Sequence, residues 1–153
     1  MYDIAIVGGG INGIGIANDA AGRGLKVLLV EQNDLASATS SWSSKLIHGG
    51  LRYLEHYEFR LVKEALAERD VLLKKAPHII KPLEFVLPHN PSMRPTWMLK
   101  AGLWMYDHLN FNIHKKSALP RSHALNLTNW KQNPLLGQYT KGFSYSDCFV
   151  DDS

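Results

Sequence analysis

The chain has 153 residues, 45% of them hydrophobic and 20% charged, and its 17 Lys plus Arg against 14 Asp plus Glu leave a net charge of +3. That length and apolar content suffice for a packed core and argue against disorder. A charge this small, with no basic stripe, argues against nucleic acid as a partner, and a single cysteine, Cys148, excludes an internal disulfide framework and a cysteine-based metal site.

The opening residues, Met1-Tyr2-Asp3-Ile4-Ala5-Ile6-Val7, lack the basic and apolar regions of a signal peptide. No run approaches the roughly 18 to 20 apolar residues that a membrane span requires. Ile4 to Val7 reads as a buried parallel strand. From Ile11 a helix is predicted, with Ile11, Ile14, Ala17 and Ala21 as its apolar face and Gly24 at its C-terminal end. Val27 to Val30 is a second strand, closed by Glu31. Strand, glycine turn, helix and strand within about 30 residues make a βαβ unit.

Residues 36–45 are rich in hydroxyls. Phe59 to Ala76 has the period of an amphipathic helix, with Phe59, Val62, Ala65, Leu66, Leu72 and Leu73 on its apolar side. Arg60 with Glu64 and Asp70 with Lys74 are spaced for i,i+4 pairs, and Pro77 ends the helix. Leu83 to Leu87 reads as a strand held between Pro82 and Pro88. Thr96 to Leu109 is a helix carrying Trp97, Met98, Trp104 and Met105, a stripe better suited to packing on further chain than to a membrane interface. Residues 110–141 show no clear period. In Gly142 to Val150, Phe143, Tyr145 and Phe149 alternate with Ser144, Ser146 and Cys148, as in a half-buried strand. His78, His89, His108, His114 and His123 form no ligand spacing, so no metal is assigned.

Gly8-Gly9-Gly10-Ile11-Asn12-Gly13 fits the dinucleotide fingerprint G-x-G-x-x-G. Gly8 permits the tight turn, Gly10 lets backbone approach a pyrophosphate, and Gly13 lets the helix pack closely on the strand. The helix N-terminus offers N–H groups and a positive dipole end to phosphates. Glu31, 18 residues after Gly13, stands where a ribose partner is expected. A carboxylate there disfavours a 2′-phosphate but does not separate FAD from NAD.

The run Ala38-Thr39-Ser40-Ser41-Trp42-Ser43-Ser44-Lys45-Leu46-Ile47-His48-Gly49-Gly50-Leu51-Arg52-Tyr53-Leu54-Glu55 resembles the signature of the membrane-associated, FAD-dependent glycerol-3-phosphate dehydrogenases. Residues 3–31, Tyr57 to Val62 and Tyr145 to Asp152 are similar to the same family, so the likeness runs from end to end. It implies an α/β fold: a Rossmann-like FAD-binding βαβ unit of the glutathione-reductase and D-amino-acid-oxidase type, incomplete, with additional helices and strands. The expected organisation is a βαβ unit at about 1–35, a flavin- and substrate-side segment at about 36–76, and the start of a substrate-side region at about 77–153. The chain is then the N-terminal part of a longer enzyme, expected to be inactive and to hold FAD weakly on its own.

The implied reaction is oxidation of sn-glycerol 3-phosphate to dihydroxyacetone phosphate, with electrons passed to a quinone. The implied place is the inner face of the cytoplasmic membrane, reached peripherally from the cytoplasm, and a homodimer fits the family. By position, Gly8, Gly10, Asn12 and Gly13 would hold the FAD pyrophosphate and Glu31 the ribose. Thr39, Ser40, Ser44, Lys45 and Leu46 would line the flavin, with His48, Gly49 and Gly50 near its ring. Arg52 and Tyr53 would reach the substrate. No catalytic residue is assigned, because the family's proton acceptor falls beyond residue 153. Without the resemblance, His48 and Tyr53 would read as core residues and Arg52 as a surface ion-pair residue. An oxidase using oxygen and a non-catalytic FAD-binding remnant are the alternatives. The Ser43 to Tyr53 run argues against an amine or amino-acid oxidase.

Overall fold

A computed structural model of the chain describes residues 1–109, 119–128 and 138–151. The remaining parts of the aperiodic segment, His114, and Asp152 with Ser153 lie outside the described residues. The chain forms two compact units, Met1–Ser44 and Lys45–Ser153.

The first unit is an α/β, Rossmann-like βαβ element. Strand β1 (Ile4–Val7) pairs in parallel with β2 (Val27–Val30), in the register Ile4 to Val27 through Val7 to Val30. Helix α1 (Ile11–Gly22) connects them. Gly24, at φ +83°, donates its N–H to Ala21 O, so it terminates α1 as predicted. The face that packs shares only Ala17 with the one predicted. Gly13, Ala17 and Ala20 turn inward, whereas Ile11 is 73% exposed. Close approach of a helix to a strand favours the smallest side chains over the largest, which the spacing of the isoleucines does not reveal. In β1, only Ile6 is buried.

The second unit is built on an antiparallel sheet. Its centre is β6 (Lys141–Val150), paired along its whole length with β4 (Ile80–His89). Its other side pairs with β3 (Leu46–Ile47) near Cys148 and Phe149 and with β5 (His123–Asn126) at Lys141 to Ser144. β4 runs through both Pro82 and Pro88, beyond the Leu83–Leu87 strand that the sequence predicts. The two prolines have the same parity, so both lack an N–H on the side facing away from β6, where no ladder bond is lost.

β6 also departs from the half-buried expectation. Ser144, Ser146, Asp147 and Cys148 are all buried. A central strand covered on both faces has no wet side, so its polar groups need internal partners. The Ser144 hydroxyl donates to Glu84 on the neighbouring strand.

Helix α2 (Phe59–Lys75) and helix α3 (Thr96–Leu109) match the predicted spans closely. Val62 and Leu66 of α2 and Tyr106 of α3 form one apolar cluster, joined by Leu51, Leu54, Leu109 and Tyr145. Ile80, Leu119 and Cys148 form another, with Ile47, Leu72, Leu73, Ala76 and Val150 against it. Each fully buried aliphatic side chain contributes about 1.5–3 kcal/mol. On α3 the buried residues are Leu103 and Tyr106, while Trp97 and Trp104 stay more than 60% exposed, at 67% and 63%. No helix among the described residues is long and apolar enough to cross a membrane.

Candidate functional site

In the first unit, the glycine turn, Glu31 and the hydroxyl-rich segment come together. Gly8 takes φ +106°, a left-handed conformation that suits glycine. A Cβ on Gly13 would fall on the carbonyl oxygen of Gly8 and 3.5 Å from Ile6 Cγ2, so α1 lies directly against the turn. Gly10 stands at the N-terminal boundary of α1 and has no side chain to cap it. The cap comes from elsewhere: Ile11 N–H donates to Ser40 Oγ at 3.0 Å. Ala36 N–H donates to Gly9 O at 3.0 Å. The hydroxyl segment is therefore folded onto the glycine turn. The N–H groups of Asn12 and Gly13 take no partner among the described residues, which leaves two donors at the positive end of the helix.

Glu31 accepts Gly9 N–H at 2.6 Å and Asn33 N–H at 3.0 Å, one on each carboxylate oxygen. The Gly9 bond first, and the Asn33 bond next, hold its carboxyl below the usual carboxylate range. The end of β2 thus grips the turn after β1. Thr39 and Ser44 are exposed, while the Ser43 hydroxyl donates to Ser40 O at 3.1 Å.

The second unit carries the remaining predicted residues. Lys45 sits at φ +58°, a left-handed conformation costly for a residue with a Cβ. Its carbonyl accepts Val150 N–H at 2.8 Å. Leu46 follows in β3, and Gly49 and Gly50 are buried. Gly50, at φ +71°, starts a 3₁₀ helix over Leu51–His56. In a 3₁₀ helix residues i and i+3 eclipse. Leu51 and Leu54 accordingly face the apolar cluster, and Arg52, Tyr53 and Glu55 face outward.

Glu55 is engaged by Arg94 through contacts of 2.5 and 3.0 Å. Arg52 is exposed and has no ion-pair partner among the described residues. His48 and Tyr53 are exposed rather than core.

Behind this loop lies a buried polar network that the sequence reading missed. Gly49 N–H donates to the Tyr106 hydroxyl at 2.8 Å. That hydroxyl donates to both Asp147 carboxylate oxygens, at 2.8 and 2.9 Å. Arg69 Nη1 donates to Asp147 Oδ1 at 2.8 Å and to Ser146 O at 3.3 Å, and the guanidinium also pairs with Asp70 at 3.0 Å. Burial works to lower the Arg69 pKa, but Asp147 and Asp70 outweigh it and leave it raised. Burial first, then the Asp147 charge, pushes the Tyr106 hydroxyl far above its ordinary range. The hydroxyl is thus neutral and keeps its proton for Asp147.

The signals were present. Arg69 falls three residues after Leu66 and seven after Val62, inside the apolar stripe, and Asp147 interrupts the Phe143, Tyr145 and Phe149 face.

Comparison with known proteins gives one family. The profile described as "FAD dependent oxidoreductase" matches residues 3–153. A glycerol-3-phosphate dehydrogenase of Pseudomonas aeruginosa is 66% identical over 153 residues, covering all of this chain and 29% of that relative. The aerobic glycerol-3-phosphate dehydrogenase of Escherichia coli is 62% identical over 151 residues, again 29% of its length. A D-erythritol 1-phosphate dehydrogenase of Brucella abortus is 60% identical over 152 residues, 30% of its length. The chain therefore spans under a third of these relatives.

Proposed function

We propose, for a chain that belongs to the FAD dependent oxidoreductase family, that it is the cofactor-binding segment of an enzyme oxidising sn-glycerol 3-phosphate to dihydroxyacetone phosphate. The observation that carries the cofactor reading is the glycine turn with the Asn12 and Gly13 N–H groups unpaired among the described residues, at the start of a helix packed so closely that a Cβ on Gly13 would fall on the Gly8 carbonyl. These residues fit a dinucleotide. Gly8, Gly10, Asn12 and Gly13 would hold its pyrophosphate, and Glu31 its ribose. Thr39, Ser40, Ser44, Lys45 and Leu46 would line the flavin side, with His48, Gly49 and Gly50 at the ring. FAD, when bound, supplies the acceptor for the hydride released as the substrate's carbinol carbon becomes a ketone.

Arg52 is the residue we assign to the substrate phosphate, with Tyr53 beside it. An exposed guanidinium with no ion pair among the described residues has its fork of donors open to an anion. The same fork suits a phosphorylated tetritol, and the Brucella abortus relative gives D-erythritol 1-phosphate as the second reading. Quinone at the inner face of the cytoplasmic membrane is the proposed acceptor, with a homodimer as the proposed assembly. Both follow from the resemblance.

The test uses a protein of the relatives' full length that carries this segment. Arg52→Ala is expected to raise KM for glycerol 3-phosphate by about tenfold or more while FAD stays bound. An unchanged KM removes Arg52 from the phosphate site. Comparing kcat/KM for glycerol 3-phosphate and D-erythritol 1-phosphate decides the substrate, and a peroxide assay against quinone-analogue reduction decides the acceptor.

A further inference from the structure

We infer that Tyr106 is a positioning residue for the flavin- and substrate-side loop, acting through the Gly49 amide. The inference rests on the reading of Gly49 to Tyr53 given above. Helices α2 and α3 and strand β6 each send one side chain, Arg69, Tyr106 and Asp147, to a single point. All three are at least nine-tenths buried, with 5%, 3% and 1% of their surface exposed. The point at which they end is the backbone N–H of Gly49, two residues before the 3₁₀ turn that presents Arg52 and Tyr53.

The polarity of the chain of bonds is fixed. A guanidinium only donates and a carboxylate only accepts. The Tyr106 proton must therefore point to Asp147, which leaves the hydroxyl oxygen's lone pair for Gly49 N–H. Gly49 itself has no room for a side chain, because a Cβ there would collide with Leu66 and lie 2.8 Å from the Tyr106 oxygen. Apolar residues would fill this space at least as favourably as an ionic group does. The charged network thus buys geometry at the loop rather than net stability. Fixing Gly49 fixes where the left-handed Gly50 turns the chain, and so where Arg52 stands.

The test compares Tyr106→Phe and Leu103→Ala in the flavin-loaded, full-length protein carrying this segment. Leu103 is buried on the same helix and serves as the purely structural control. Tyr106→Phe is expected to speed Gly49 amide exchange by about tenfold or more. It is also expected to raise KM for glycerol 3-phosphate by about tenfold, with FAD stoichiometry intact. Leu103→Ala is expected to lower Tm at least as much and leave KM unchanged. Asp147→Asn, which keeps the shape and removes the charge that orients the hydroxyl, is expected to move both readouts in the same direction.

Wild-type exchange at Gly49 in both network variants, or an equal rise in KM with Leu103→Ala, overturns the inference. If the wild-type protein does not oxidise glycerol 3-phosphate, the substrate reading fails. The Gly49 exchange rate then decides the clamp by itself.

Discussion

Replacing Arg69 by Met removes the cation from a carboxylate that water cannot reach. Asp147 is almost wholly buried and would keep only the Tyr106 hydroxyl and its backbone surroundings. Breaking a buried pair by deleting one partner costs about 3–5 kcal/mol, because an uncompensated charge stays inside. For a chain of this size that corresponds to a fall in Tm of roughly 6–20 °C.

The exposed Arg60–Glu64 pair at 2.8 Å, with side chains 91% and 62% accessible, gives the contrast. Arg60→Ala is expected to cost under about 1 kcal/mol. The assay is urea unfolding of both variants beside wild type, with m-values compared to establish that the same surface unfolds. The double variant Arg69→Met with Asp147→Asn, which neutralises the stranded charge, is expected to recover about 2 kcal/mol of the loss. A cost below about 1 kcal/mol for Arg69→Met alone would refute the buried-pair argument.

Gly13→Ala should weaken FAD binding by about ten- to hundredfold in a full-length protein, since the new methyl falls on the Gly8 carbonyl. Gly15→Ala, two residues along with nothing within 4 Å, should instead stabilise α1 by up to about 1 kcal/mol. Equal affinities for the two variants would show that the turn has room to move. The Gly9 amide resonance should titrate with Glu31. Because the folded carboxyl lies below the usual carboxylate range, the bond is complete at and above that range and is lost as pH falls through the lower folded value. A Gly9 amide that stays flat from about pH 5 to 2 would mean that the bond in question is not formed. Cys148 is fully buried and its thiol is pushed up, by burial first. A disulfide reagent should label it only on unfolding, and rapid stoichiometric labelling of the native chain would contradict this burial.

Elements with a strong local period were readable without coordinates. Val27–Val30 is an unbroken apolar run, and Phe59–Lys75 and Thr96–Leu109 depend on apolar spacing and on a proline near one border, all visible in the chain. What escaped was set by neighbours distant in sequence. Pro82 and Pro88 punctuate a lone segment, but on an edge strand their missing donors face outward. Ser144 and Ser146 look solvated until the structure places them in a buried central strand, paired with β4 along its whole length and with β5 as far as Ser144. The site shows the same division. The glycine turn and Glu31 follow a spacing rule, and residues 38–55 are a recognisable run. Ser40 capping Ile11 depends on a 29-residue separation, and Tyr106 reaching Gly49 spans 57. Such contacts obey no periodicity, so only an odd residue in a regular pattern betrays them.

The two prolines of β4 also bear on how this chain avoids meeting its own copies. A ten-residue strand with no outer neighbour among the described residues would ordinarily offer a continuous row of unpaired amides and carbonyls, a template on which another strand could form. At Pro82 and Pro88 that row has gaps near each end, and no arriving strand can complete its ladder across them. Side-by-side growth into fibrillar assemblies is thus discouraged by residues that leave the pairing with β6 untouched.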